Sequence, residues 1–79
     1  METSLDKAQI GSNWVIVKVK GEKSIKRRLM DMGLTPGTEI FVRRFAPLGD
    51  PMEIRVRGSE LTLRKADALN IFIKAVAEN

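Results

Sequence analysis

Between residues 38 and 63 the apolar side chains fall on every second position. Ile40 and Val42 form one short series, Met52, Ile54 and Val56 another, and Leu61 and Leu63 a third, with Glu39, Arg43, Glu53, Arg55 and Arg57 among the residues between them. A period of two puts the apolar groups on one face of an extended chain and the charges on the other. Each series is short, and Pro47, Pro51 and Gly58 separate them, so the chain must fold back on itself repeatedly. The alternation thus predicts short antiparallel strands with one buried face. The chain has 79 residues, which points to one domain over residues 1–79. A domain of this size buries only about 60% of its unfolded surface and has little material with which to cover sheet edges. Closure into a small antiparallel barrel is the economical solution.

The remaining segments supply the other elements. Residues 13–20 read N-W-V-I-V-K-V-K, a β-branched strand with Val15, Val17 and Val19 expected inward and Trp14, Ile16, Lys18 and Lys20 opposite. A helix follows, capped by Ser24 or starting at Glu22, with Ile25, Leu29 and Met32 on one stripe. Gly33 suits the left-handed position after its last turn, with Leu34 folding back. Thr35-Pro36-Gly37 is a turn into the strand 38–45, where Ile40 and Val42 point inward and Glu39, Phe41, Arg43 and Phe45 outward. After the strand carrying Met52, Ile54 and Val56, Gly58-Ser59 suits a two-residue hairpin turn of type II′. Residues 64–68 read as a short helical turn and 70–75 as a last strand, with Ile71 and Ile73 on one face. Fraying is expected from Val76 onward. The expected architecture is mainly β: a barrel of about five strands, one helix between the first two, and a helical turn before the last.

The composition excludes several kinds of chemistry. Both Cys and His are absent, so no disulfide framework exists and the usual soft metal ligands and neutral-pH base are missing. A metal site would have to use carboxylates alone, and the acidic residues are scattered. No P-loop, dinucleotide fingerprint or nucleophile triad is present. No catalytic residue, cofactor or metal ligand is therefore assigned. No apolar run approaches the length of a membrane span, and residues 1–4 lack the character of a signal peptide. A cytoplasmic protein is expected. The formal net charge of +4 leaves acidic proteins, nucleic acid and anionic membranes open as partners.

Candidate contact residues lie in and around the segment A-P-L-G-D-P-M, residues 46–52. Pro47 and Pro51 stiffen it, Gly49 and Asp50 suit a turn, and Leu48 stands near the tip. Leu48 either plugs the open barrel end or is an anchor held out on a loop with little entropy to lose. Phe41 and Phe45 form an apolar patch if both face outward; a coiled strand would instead tuck Phe45 beneath the loop. Arg55 and Arg57 lie nearby on the next strand. Single-strand binding by a small barrel combines such cations with aromatic platforms, but Glu39 and Glu53 interrupt the positive stripes.

Three segments together, K-R-R-L-M-D-M-G-L-T-P-G-T (26–38), A-P-L-G-D-P-M-E-I-R-V-R-G (46–58) and L-T-L-R-K-A-D-A (61–68), resemble the FeoA family of bacterial ferrous iron transport. Leu5 and Gly11 resemble its N-terminal pattern. The resemblance implies an SH3-like barrel, here in a stand-alone form without the DNA-binding helices of related repressors. It also implies a partner, the cytosolic GTP-binding part of a FeoB-type transporter, at the inner face of the membrane. Activation of that GTPase would call for an arginine finger. Arg27, Arg28, Arg43 and Arg64 carry the charge, but none sits in a glycine-flanked loop. Phe41 and Arg43 depart from the family, which more often has a polar residue at the first and an apolar one at the second. Transition-metal binding, a family-level property, finds no His or Cys here.

The resulting expectation is a non-catalytic accessory protein of ferrous iron uptake that binds the transporter through Pro47, Leu48 and Asp50, with Phe41, Phe45, Arg55 and Arg57 nearby. The alternative is a small basic barrel that binds nucleic acid as a regulator.

Overall fold

The computed structural model describes residues 2–77. In chain order it contains β1 (Glu2–Ser4), a 3-10 turn (Leu5–Lys7), β2 (Asn13–Val19), α1 (Lys23–Asp31), β3 (Glu39–Phe45), β4 (Met52–Val56), β5 (Ser59–Leu63), α2 (Lys65–Ala68) and β6 (Ile71–Ala75). The strands form one sheet in the order β1-β6-β2-β3-β4-β5, antiparallel at every pairing. The sheet coils around one core drawn from nearly every element, including Leu5, Ile16, Leu29, Leu34, Ile54, Leu63 and Ile73. This is the small mainly β architecture expected, with β1 and β5 as the two ends of the ladder. Residues 76 and 77 carry no regular structure, and the rest of the segment expected to fray lies outside the described residues.

β1 is a sixth strand that the pattern does not announce. Its three residues, Glu2, Thr3 and Ser4, have no apolar alternation, and they join the sheet through backbone pairing with Phe72, Ile73 and Lys74. What anchors this end is Leu5, which is fully buried at the start of the 3-10 turn.

The inward face of β2 differs from the expected one. Ile16 and Val19 are buried, whereas Val15 and Val17 are half-exposed. Ile16 pairs with Ile73 but Lys18 pairs with Phe72, so Val17 is an extra residue in a bulge. A bulge shifts the side-chain phase by one, and two residues three apart then share a face. β3 behaves alike. Val42 pairs with Ile54 and Arg44 with Glu53, which leaves Arg43 as the extra residue. Ile40 and Val42 are buried as expected, but past the bulge Phe45 turns to pack against the core. The coiled-strand alternative for Phe45 is the one realised.

α1 starts at Lys23 with Glu22 as its cap residue, two residues earlier than a Ser24 cap would place it. Its end follows from Gly33, at φ 95°. The Leu34 N–H donates to Leu29 O and the Gly33 N–H to Met30 O, the paired bonds of a Schellman stop. Leu34 is driven to 0% exposure beside Leu29, while Met32, expected on the buried stripe, is 37% exposed. Complete burial of each leucine is worth about 1.5–3 kcal/mol.

The β4–β5 hairpin turns at Arg57-Gly58, one residue before the expected Gly58-Ser59. Val56 pairs with Ser59, and both turn residues have positive φ, 51° and 80°. That is a type I′ turn, whose twist matches the flanking strands. Met52, Ile54 and Val56 are buried as the alternation requires, as are Leu63, Ile71 and Ile73.

Candidate partner-binding site

The loop from Ala46 to Pro51 is internally bonded. The Gly49 N–H donates to Ala46 O at 2.7 Å, and the Ala46 N–H donates to Pro51 O at 2.8 Å. Gly49 holds φ 84°, which closes the turn, and the Asp50–Pro51 bond is cis. Asp50 adds an external tie: its Oδ1 accepts the backbone N–H of Lys65, the first residue of α2, at 2.9 Å. Leu48 stands at the tip, 95% exposed. The plug reading is therefore overturned. Phe45, half-buried at the base of the loop, is the residue that packs on the core there.

The other expected contact residues are not all neighbours. Phe41 and Arg55 face each other across β3 and β4, with the guanidinium carbon 5.9 Å from the ring centre. Arg55 also reaches Glu60 on β5 at 3.3 Å, and Arg43 reaches the same carboxylate at 2.8 Å. Arg44 pairs with Glu53. The Arg43 bond and charge hold the Glu60 carboxyl below its ordinary range, and Glu60 in turn raises Arg43. Arg57 lies elsewhere, on the hairpin turn at the far end of β4 from the Leu48 loop. It borders an open cleft with Thr35, Pro36, Gly37, Thr38 and Glu39, and its Nη2 lies 3.4 Å from Thr38 Oγ1. The structure thus brings Pro47, Leu48, Asp50 and Phe45 together, sets Phe41 and Arg55 on the outer sheet face, and separates Arg57.

Glu60 is the residue sequence reasoning missed. A turn centred on Gly58-Ser59 would set it opposite Arg57, whereas the observed register sets it opposite Arg55. It pairs with Arg43 and Arg55 on the outer face of β3–β5, which lessens the positive charge a nucleic-acid surface needs. No group of three or more potential metal-ligating side chains occurs among the described residues, and no helix among them is long and apolar enough to cross a membrane.

Comparison with known proteins agrees with this architecture. The FeoA domain model matches residues 3–75. A curated fusion protein of Porphyromonas gingivalis, an Fe(2+) transport protein A joined to the Fe(2+) transporter FeoB, is 33% identical over 75 residues, covering 95% of this chain and 9% of its own length. The chain therefore spans only a small part of that relative. The solution structure of a FeoA-like protein from Clostridium acetobutylicum superposes with a TM-score of 0.88 at 36% identity, covering 99% of this chain and 91% of the other. A zinc complex of Stenotrophomonas maltophilia FeoA, described as a prokaryotic SH3 domain protein, shares the fold with a TM-score of 0.79 at 22% identity, covering 91% and 89%. With the family match running over nearly all of the described chain, and the SH3-like sheet the same, this protein belongs to the FeoA family of ferrous iron transport.

Proposed function

We propose that the chain is a non-catalytic accessory domain that docks on the cytosolic GTP-binding part of a FeoB-type transporter, with Leu48 as its anchor. The observation that carries this reading is a leucine 95% exposed on a loop tied at three points. A mobile loop would lose entropy on docking; this one has already lost it. Pro47 and Pro51 flank the anchor and Asp50 fixes its direction, so Asp50 acts through the loop rather than as a direct contact. Phe41 and Arg55 extend the contact along the sheet. The fused FeoA and FeoB of the Porphyromonas gingivalis relative support the choice of partner.

The test is the affinity of the purified chain for the GTP-binding part of its own transporter, measured against salt. Docking through an apolar anchor changes little with added salt. A steep log-linear loss of affinity would mark a counterion-release mode, the behaviour of the nucleic-acid alternative, and would refute the anchor. The pairing of Arg43, Arg44 and Arg55 with Glu53 and Glu60 disfavours that mode on this face.

A further inference from the structure

The cations of this chain are not distributed evenly by pairing. On β3–β5 they are matched by carboxylates, as above. From the end of β2 through α1 the sequence carries Lys18, Lys20, Lys23, Lys26, Arg27 and Arg28, with Glu22 and Asp31 the two acids among residues 18–31. Lys18 pairs with Glu2 and Arg28 with Asp67. Lys20, Lys23, Lys26 and Arg27 have no ion-pair partner among the described residues.

Helix geometry gathers three of these. Residues 23, 26, 27 and 30 stand at i, i+3, i+4 and i+7, on one face of α1. Ile25 and Leu29 lie on the opposite side, turned to the core. The outer face is therefore Lys23, Lys26 and Arg27, with Met30 among them at 39% exposure. Asp31 and Glu22 flank it at the two ends of the helix. Lys20 precedes α1 by the short β2–α1 connection, its ammonium 4.7 Å from the Phe72 ring centre.

We propose that this face of α1 rests on the anionic phospholipid headgroups of the membrane that holds the transporter, an inference that builds on the partner reading above. The face is exposed and its cations are unpaired among the described residues, which fits a plane of headgroups, and the clefts beside Thr38 and Met32 include none of them. Each lysine or arginine near an anionic bilayer adds attraction that vanishes within a Debye length, so several must share one face. Long aliphatic stems let such cations reach headgroups while Met30 meets the acyl boundary. A single nucleic-acid strand would need an open aromatic platform. Phe72 is half-buried, with Lys18 and Lys20 at 5.5 and 4.7 Å from its centre.

The experiment is co-sedimentation of the intact chain with vesicles of phosphatidylcholine alone or with about one-third phosphatidylglycerol at low salt. Binding is expected only to the anionic vesicles and is lost in high salt. The combined variant Lys23→Gln, Lys26→Gln, Arg27→Gln should weaken it about 100-fold, roughly fivefold per cation. Its circular dichroism should match the parent, because all three side chains are exposed. Leu48→Asp should bind vesicles as the parent does, and the triple variant should still bind the transporter's GTP-binding part in vesicle-free buffer. The two readings therefore fail separately. Equal binding to neutral and anionic vesicles, unchanged binding by the triple variant, or binding to single-stranded DNA through the same three side chains without vesicle binding would each overturn the proposal.

Discussion

Leu48→Asp separates the roles of Leu48 in folding and in recognition. At 95% exposure the side chain buries almost none of its apolar surface in the folded chain. Complete burial of a leucine is worth about 1.5–3 kcal/mol, so its present contribution to stability is a small fraction of that. The variant should therefore unfold within about 0.5 kcal/mol of the parent, a shift in Tm of no more than ~4 °C for a domain this size. On docking, the same surface leaves water. Its loss should raise Kd by about 10- to 150-fold at 1.4 kcal/mol per tenfold change, before any cost of desolvating the new carboxylate. The assay pairs thermal unfolding by circular dichroism with the Kd for the transporter's GTP-binding part. An unchanged Kd with intact folding refutes the anchor. A fall in Tm well beyond ~4 °C refutes the exposed placement and restores a leucine that covers the core.

Other residues yield sharper tests of the scaffold. Asp50→Ala removes the acceptor for the Lys65 N–H; it should cost about 1 kcal/mol and weaken docking, because the loop then pays entropy on binding. Arg57 occupies positive φ in the hairpin turn, so Arg57→Asn should raise stability by about 0.5 kcal/mol in urea titrations, and a loss would show that its contact with Thr38 outweighs the backbone strain. Leu34→Ala should cost about 2–5 kcal/mol, whereas Gly33→Ala, where an added Cβ meets nothing within 4 Å, should cost only the backbone term of about 1 kcal/mol. Glu60 has a depressed folded-state pKa, so its stabilisation is present above the unfolded value and is lost as pH falls through the folded one. NMR titration of its carboxyl should give a midpoint below the ordinary range of an exposed glutamate, and Arg43→Gln should move it back up.

The residues that misled are as informative as those that did not. In β4 the alternation of Met52, Ile54 and Val56 translated directly into burial, because a straight strand keeps its phase. The same rule gave the wrong face in β2 before the bulge at Val17 and in β3 after the bulge at Arg43, where the extra residue lets a small sheet coil around its core. That coiling depends on the partner strands, and nothing local to V-I-V-K-V marks it. The hairpin turn was displaced by one residue because Gly58 suits either position, and it is pairing with β4 that places Arg57 at positive φ. With that shift went the Arg55–Glu60 contact, and so the pairing of the outer face. The candidate loop was legible as stiff from its prolines and as a turn from Gly49 and Asp50. Its direction was not.

By itself the sequence determined the alternating faces of β4 and β6, the stop of α1 at Gly33, the lack of soft metal ligands and the motifs that mark the family. All of these depend on a few adjacent residues and their intrinsic geometry. The tertiary structure alone decided that Ser4 and its neighbours join the sheet, that Phe45 turns inward and that Leu48 stands outward. Those outcomes depend on which surfaces meet once the sheet has coiled. An apolar side chain is buried only where packing leaves a place for it, and at the barrel end Phe45 already packs on the core.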